Sequence, residues 1–197
     1  KGSVKNLVVI GSSTGGPPLV EDILMSLPVD FLGAVLVVQH MPEYFTKKFA
    51  QRLDKLTSFQ IKEALDGERI DRGDILIAPG NKFTDIVYQK DKKSFYIKTS
   101  DAATDKKSLT SIDRAMTSAA QAFGGSSIGV ILSGMGEDGL EGMRAIKEAG
   151  GYTIVQNPES AVVRSMPITV IENDIAMEIL TPAGIAARII ELCEKNK

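Results

Sequence analysis

Short, unbroken apolar runs alternate along this chain with segments that carry an apolar stripe, and the two patterns predict buried strands and amphipathic helices in turn. Leu7 to Ile10 is continuously apolar and leads into Gly11-Ser12-Ser13-Thr14-Gly15-Gly16. Pro17-Pro18 then opens a segment with apolar positions at Leu19, Val20, Ile23, Leu24 and Leu27. This is strand, glycine-rich turn and helix, with proline where the first helical turn tolerates it. Ala34 to Val38 is a second such run and ends in Gln39-His40, after which Pro42 starts a helix presenting Phe45, Phe49 and Leu53 on one face. The βαβα order implies a buried parallel sheet with right-handed crossovers.

Further strands are expected at Ile61 to Leu65, Ile75 to Ala78, Ile128 to Leu132, Tyr152 to Val155 and Ile175 to Ile179. Helices should carry Ile112, Ala115, Met116 and Ala119, then Leu140, Met143 and Ile146, and Thr181-Pro182 should cap a final one. Phe83 to Gln89 and Ser94 to Thr99 flank Lys90-Asp91-Lys92-Lys93, a link too short for a parallel crossover, so these two form an antiparallel hairpin at the sheet margin. The polar stretch Ser100 to Ser108 is expected to be a mobile connection. The fold class is therefore α/β: a doubly wound, mostly parallel sheet of about seven strands flanked by helices, plus an antiparallel hairpin.

With 197 residues, 43% of them apolar, one domain with a sizeable core is expected across 1–197. A first residue other than Met leaves open whether this domain was cut from a longer protein or processed. The 23 Lys and Arg against 25 Asp and Glu give a net charge of −2, so no basic field favours nucleic acid or an anionic membrane. No apolar run approaches the roughly 20 residues of a membrane-spanning helix, and Lys1-Gly2-Ser3 matches neither a signal nor a transit peptide. One cysteine, Cys193, excludes a disulfide framework and a cysteine-based metal site, and a reducing, cytoplasmic setting is the default expectation.

Gly11-x-Ser13-x-Gly15 at a strand-to-helix turn has the spacing of a nucleophile elbow, which selects Ser13 over Ser12. The same residues also suit a glycine-rich turn whose serines cap the next helix. Neither a dinucleotide fingerprint nor a Walker spacing is present, and His40 stands where a ribose-binding acid would be, so nucleotide binding ranks last. His40 is the sole histidine, so a base that titrates near neutrality for a serine has no other source. It ends the second strand, and parallel strands deliver their carboxyl-end loops to one edge. Glu137 and Asp138 follow another strand and both qualify as the orienting carboxylate. Asp138 with Glu141 three residues on also fits a capping box for the helix of Leu140. Glu137 and Asp138 together would suit Mg²⁺, but no further acid clusters with them. The order serine, histidine, aspartate, with Ser13 after the first strand, departs from the α/β-hydrolase order.

Val9-Ile10-Gly11-Ser12-Ser13-Thr14-Gly15-Gly16, Gln39-His40-Met41-Pro42 with Phe45-Thr46, Leu132-Ser133-Gly134-Met135-Gly136-Glu137-Asp138-Gly139, and Gln156-Asn157-Pro158-Glu159-Ser160-Ala161 with Met166-Pro167 resemble the four signature segments of the CheB-type protein-glutamate methylesterases and glutaminases of chemotaxis. Glu63 to Arg69 and Ile77-Ala78-Pro79-Gly80 fit as well. The resemblance implies Ser13 as nucleophile, His40 as base and then acid, and Asp138 rather than Glu137 as the orienting carboxylate. It places Thr14 and Met135 along the active site, and implies the cytoplasmic domain of a methyl-accepting chemoreceptor as partner and no cofactor or metal. Relatives often carry a phosphoacceptor receiver domain, which this chain does not resemble anywhere, and often a histidine just after Ala78-Pro79-Gly80, where this chain has Asn81-Lys82-Phe83. Backbone N–H groups of Thr14, Gly15 and Met135 are the oxyanion candidates. Met41, Tyr44, Met135 and Met166 are expected to form an adaptable apolar rim for a large helical substrate. The competing reading is a non-catalytic binding module that holds an anion or a protein partner.

Overall fold

The structure is a computed structural model that describes residues 2–102 and 111–195. In chain order its elements are β1 (Leu7–Ser12), α1 (Gly16–Met25), β2 (Ala34–Gln39), α2 (Glu43–Leu56), β3 (Ile61–Glu63), β4 (Arg69–Ile70), β5 (Ile75–Ile77), β6 (Lys82–Gln89), β7 (Ser94–Asp101), α3 (Ser111–Phe123), β8 (Ser127–Ile131), α4 (Leu140–Glu148), β9 (Tyr152–Gln156), α5 (Ser165–Glu172), β10 (Glu178–Leu180) and α6 (Pro182–Lys195). Seven strands form one sheet in the order β10-β9-β8-β1-β2-β5-β3, and every pairing in it is parallel. The strands at its centre are apolar along most of their length because both faces are covered, with polar residues only at their ends, Ser12, Gln39 and Ser127. All residues of β1, β2 and β8 are buried. One core cluster includes Leu7, Val9, Leu36, Ile112, Met116, Met143 and Ile146, joining the sheet to α3 and α4. The other includes Val8, Ile10, Val35, Val37, Ile23, Leu53 and Ile189, joining the opposite face to α1, α2 and α6.

The chain winds from β1 outward through β2 to β3 and β5, then returns to the other side of β1 and continues through β8, β9 and β10. The winding direction reverses between β1 and β8. At such a switch point the loops leaving the strands diverge and open a crevice at the carboxyl edge.

Four local expectations are revised. The hairpin β6–β7 forms, but as part of a separate three-stranded antiparallel sheet whose third member, β4, has only two residues and no periodicity to announce it. The last strand begins at Glu178, not Ile175. Asp174 turns the chain with φ 55°, and Ile175 is a 3%-exposed core plug ahead of the strand. Phe45 points to solvent, and Thr46 takes the inward place on α2, where its hydroxyl donates to Glu63 Oε1 at 2.6 Å and accepts from Gly80 N at 3.0 Å. Of the Ser100 to Ser108 connection, Ser100 and Asp101 end β7, while residues 103–108 lie outside the described residues. The Thr181 cap forms as expected, its hydroxyl accepting from Gly184 N at 3.3 Å.

Gly80 sets the spacing between the exit of β5 and the start of α2, since a Cβ there would overlap Glu43 N and Met41 O. Both obstacles are backbone, which cannot swing aside as a side chain does. Gly80→Ala is expected to lower unfolding free energy by about 1–3 kcal/mol in urea titration, the range for forced overpacking; an unchanged midpoint would show that the α2 entry relaxes freely.

Candidate active site

The switch point brings three loops together. In the parallel register Ser12 lies opposite Gln39, so Ser13 and His40 leave adjacent strands side by side, and His40 N donates to Ser12 O at 2.9 Å. On the other side, Ser13 N donates to Ser133 O at 3.0 Å. The two serines at the turn divide their roles by burial. Ser12 is fully buried and its hydroxyl donates to Gln39 Oε1 at 2.5 Å, whereas Ser13 is partly exposed and its hydroxyl has no hydrogen-bond partner among the described residues. Gly15 turns the chain with φ 80°, which lets α1 start immediately and leaves Ser13 at the apex.

His40 Nε2 meets Asp138 Oδ2 at 2.5 Å, with the imidazole side chain 34% exposed and the carboxylate 6%. A carboxylate only accepts, so the ring proton belongs on Nε2, and Nδ1 is left with a free lone pair. In the chymotrypsin-type arrangement the acid holds Nδ1; here it holds Nε2.

Asp138 is placed by a helix other than its own. Its Oδ2 accepts from Ile112 N at 3.1 Å and its Oδ1 from Asp113 N at 2.9 Å, both in the first turn of α3. Ser111 Oγ lies 3.4 Å from Oδ2. Those amides and the positive end of the α3 dipole stabilise negative charge on Asp138. The alternative reading of Asp138 and Glu141 as a capping box is not realised: Gly139, with φ 103°, is the N-cap of α4. Asp113 on α3 does that work instead, its Oδ1 accepting from Gly139 N at 2.9 Å and Gly142 N at 2.8 Å. Glu141 turns outward to Arg144. Glu137 is exposed. Among the described residues no group of three or more His, Cys, Asp or Glu is placed to hold a metal ion.

The rim is only partly as expected. Tyr44 and Met135 are 64% and 69% exposed, and Met41 lines a cleft of about 620 Å³ that also takes in His40, Asp138, Asn81 and Lys82. Thr14 is exposed and Gly15 partly so. Met166 is a correction: at 1% exposure it is core, and its sulfur occupies the space that a side chain at Gly134 would need. Its place above the surface belongs to Val162, 77% exposed and packed over Gly15. Val162 lies in a loop, where no periodicity marks it. Four buried polar residues were likewise given no role by the sequence reasoning. Gln39 Nε2 donates to Ser13 O at 2.8 Å and to His40 O at 3.3 Å, tying the serine loop to the histidine. Ser133 Oγ donates to Thr14 O at 2.8 Å and accepts from Val163 N at 2.9 Å, and Gln156 Oε1 accepts from Ser133 N at 2.8 Å. Asp113 completes the set. The available signal for Gln39 and Gln156 was an amide ending an apolar strand.

Gln39→Ala strands the Ser12 hydroxyl and removes one of the two donors to the Ser13 carbonyl, which keeps Gly16 N at 3.0 Å. We expect a loss of about 1–3 kcal/mol in urea unfolding, the cost of one orphaned buried group. A loss below about 0.5 kcal/mol would mean that water replaces the amide.

Comparison with known proteins agrees with this fold. The sequence model of the family described as CheB methylesterase matches residues 8–189. The protein-glutamate methylesterase/protein-glutamine glutaminase 3 of Geobacter sulfurreducens is 40% identical over 187 residues, which are 95% of this chain and 50% of that protein. A relative in Nitratidesulfovibrio vulgaris, protein-glutamate methylesterase/protein-glutamine glutaminase 2, is 41% identical over the same shares. The chain thus spans about half the length of these relatives. The crystal structure of the Thermotoga maritima CheB methylesterase catalytic domain superposes with a TM-score of 0.88 at 37% identity, covering 98% of this chain and 99% of that one. The chain belongs to the CheB methylesterase family.

Proposed function

We propose that this domain is a serine hydrolase that removes methyl groups from glutamate γ-methyl esters, and ammonia from glutamines, on the cytoplasmic helices of a chemoreceptor. One observation carries the proposal: a half-exposed histidine, held at Nε2 by a buried carboxylate, leaves the strand next to a partly exposed serine at the apex of a tight turn. The names of the relatives support the substrate class.

In this mechanism His40 Nδ1 takes the proton of Ser13 Oγ as the oxygen attacks the γ-carbonyl. The N–H groups of Thr14 and Met135, which donate to no described residue, are the proposed oxyanion donors, each worth about 3 kcal/mol in the transition state. His40 returns the proton to the departing methoxide, methanol leaves, and a γ-glutamyl ester remains on Ser13. Water, deprotonated by His40, cleaves that ester, releasing the glutamate carboxylate and restoring the serine. Asp138 stays ionised throughout and stabilises the imidazolium. With glutamine the leaving group is ammonia. Exposed Tyr44, Met135 and Val162 offer a shallow apolar surface, suited to a helix that is too wide for a closed pocket.

Methanol release from methylated receptor membranes tests the assignment. Ser13→Ala, His40→Ala and Asp138→Asn should each lower kcat by about 10⁴-fold, while Glu137→Gln and Ser12→Ala keep it within threefold. If wild type releases no methanol but cleaves a small ester through Ser13, the receptor assignment fails. If no ester is cleaved and fluorophosphonate labels neither wild type nor Ser13→Ala, the binding-module reading replaces it.

A further inference from the structure

We infer that Asp113 is a positioning residue for hydrolysis: by capping α4 from α3, it holds the Asp138 loop where the Asp138 carboxylate meets His40. The inference rests on the proposed roles of Ser13, His40 and Asp138. Its basis is an exchange of caps. Asp138, just before α4, accepts from Ile112 N and Asp113 N at the start of α3. Asp113, at the start of α3, accepts from Gly139 N and Gly142 N at the start of α4. Four hydrogen bonds therefore close a ring between two helix ends, and a shift of either end strains all four.

Three glycines make the closure sterically feasible. A Cβ on Gly142 would lie 2.5 Å from Met116 Cβ and 3.0 Å from Asp113 Cα, so the two helices touch backbone to backbone. A Cβ on Gly11 would lie 2.5 Å from Ile112 Cγ2, so Ile112 packs directly beneath the strand that leads into Ser13. Gly139 supplies the left-handed turn, φ 103°, that aims its N–H at Asp113. The α3 end is thus registered against the serine strand by Ile112 and against the aspartate loop by Asp113. Asp113 is itself 8% exposed and lies one layer behind Asp138, so it touches no substrate.

An ordinary buried cap would lower stability when removed and leave catalysis alone; a positioning residue also changes kcat and the environment of the imidazole. His40 is the only histidine, so its ring N–H proton resonance reports the bond to Asp138 without overlap. With a small activated ester as substrate, Asp113→Ala should lower kcat more than tenfold at constant KM, since sub-ångström misplacement of a catalytic group has effects of that size. It should also shift or abolish the His40 N–H resonance. Asp113→Asn keeps an acceptor oxygen for the two α4 amides and should fall between the alanine variant and wild type on both readings. Wild-type kcat and an unmoved resonance in the folded fraction of either variant would overturn the inference. Should Asp113→Ala not fold, Asp113→Asn decides by the same two readings. If wild type cleaves no ester, the proposed function fails first, and the resonance alone still tests the cap exchange.

Discussion

A buried carboxylate has to be compensated on every side, and at Asp138 that requirement organises the site. Left unpaired, an ion at this depth would be strongly destabilising; paired with one histidine alone, it would still lack partners for its remaining lone pairs. The first turn of α3 supplies two backbone amides and a favourable dipole. That solution obliges α3, which precedes β8 in the chain, to set its N-terminus against the loop that follows β8. The packing of α3 on α4 and the cap exchange through Asp113 are both consequences of placing it there.

Parallel strands do the rest of the positioning. Because Ser12 and Gln39 are register partners, the residues that follow them share one edge at the separation of neighbouring strands. Loops alone would not hold such a relation. Here three side chains lock it: Gln39 spans from β2 to the serine turn, Ser133 bridges the serine and aspartate loops, and Gln156 reaches from β9 to Ser133. Each is a buried polar residue whose hydrogen-bonding capacity is spent on backbone, so each specifies one loop geometry. The three loops are thereby held rigidly, while Thr14 beside Ser13 stays exposed. The contact at Nε2 of His40 follows from the same layout: α3 holds Asp138 where its carboxylate meets that nitrogen.

Much of this was legible in the chain. Unbroken apolar runs announce strands buried on both faces, and the seven-stranded parallel sheet required nothing more than those runs and their helical spacers. Gly11-x-Ser13-x-Gly15 separated the exposed serine from the buried one, because only one position of such a turn can project. A single histidine at a strand end left one candidate for a base, and the structure puts it against Asp138. Short or irregular features were not legible: β4 has two residues, Val162 lies in a loop, and Ile175 is an apolar plug that mimics the start of a strand.

What the sequence determined by itself is therefore the set of local periodicities and the chemistry that could sit at strand ends, since both depend on residues near one another in the chain. What only the tertiary structure decided is which groups serve one another across it. Asp138 and Glu141 have the spacing of a capping box, yet Asp138 caps α3 and Asp113 caps α4, residues 25 or more positions apart. Met166 has the character of a rim residue, yet it fills the gap under Gly134. In both cases a local preference of about 1 kcal/mol yields to the larger cost of leaving a buried charge uncompensated or a core gap unfilled, and those costs exist only once the helices have packed.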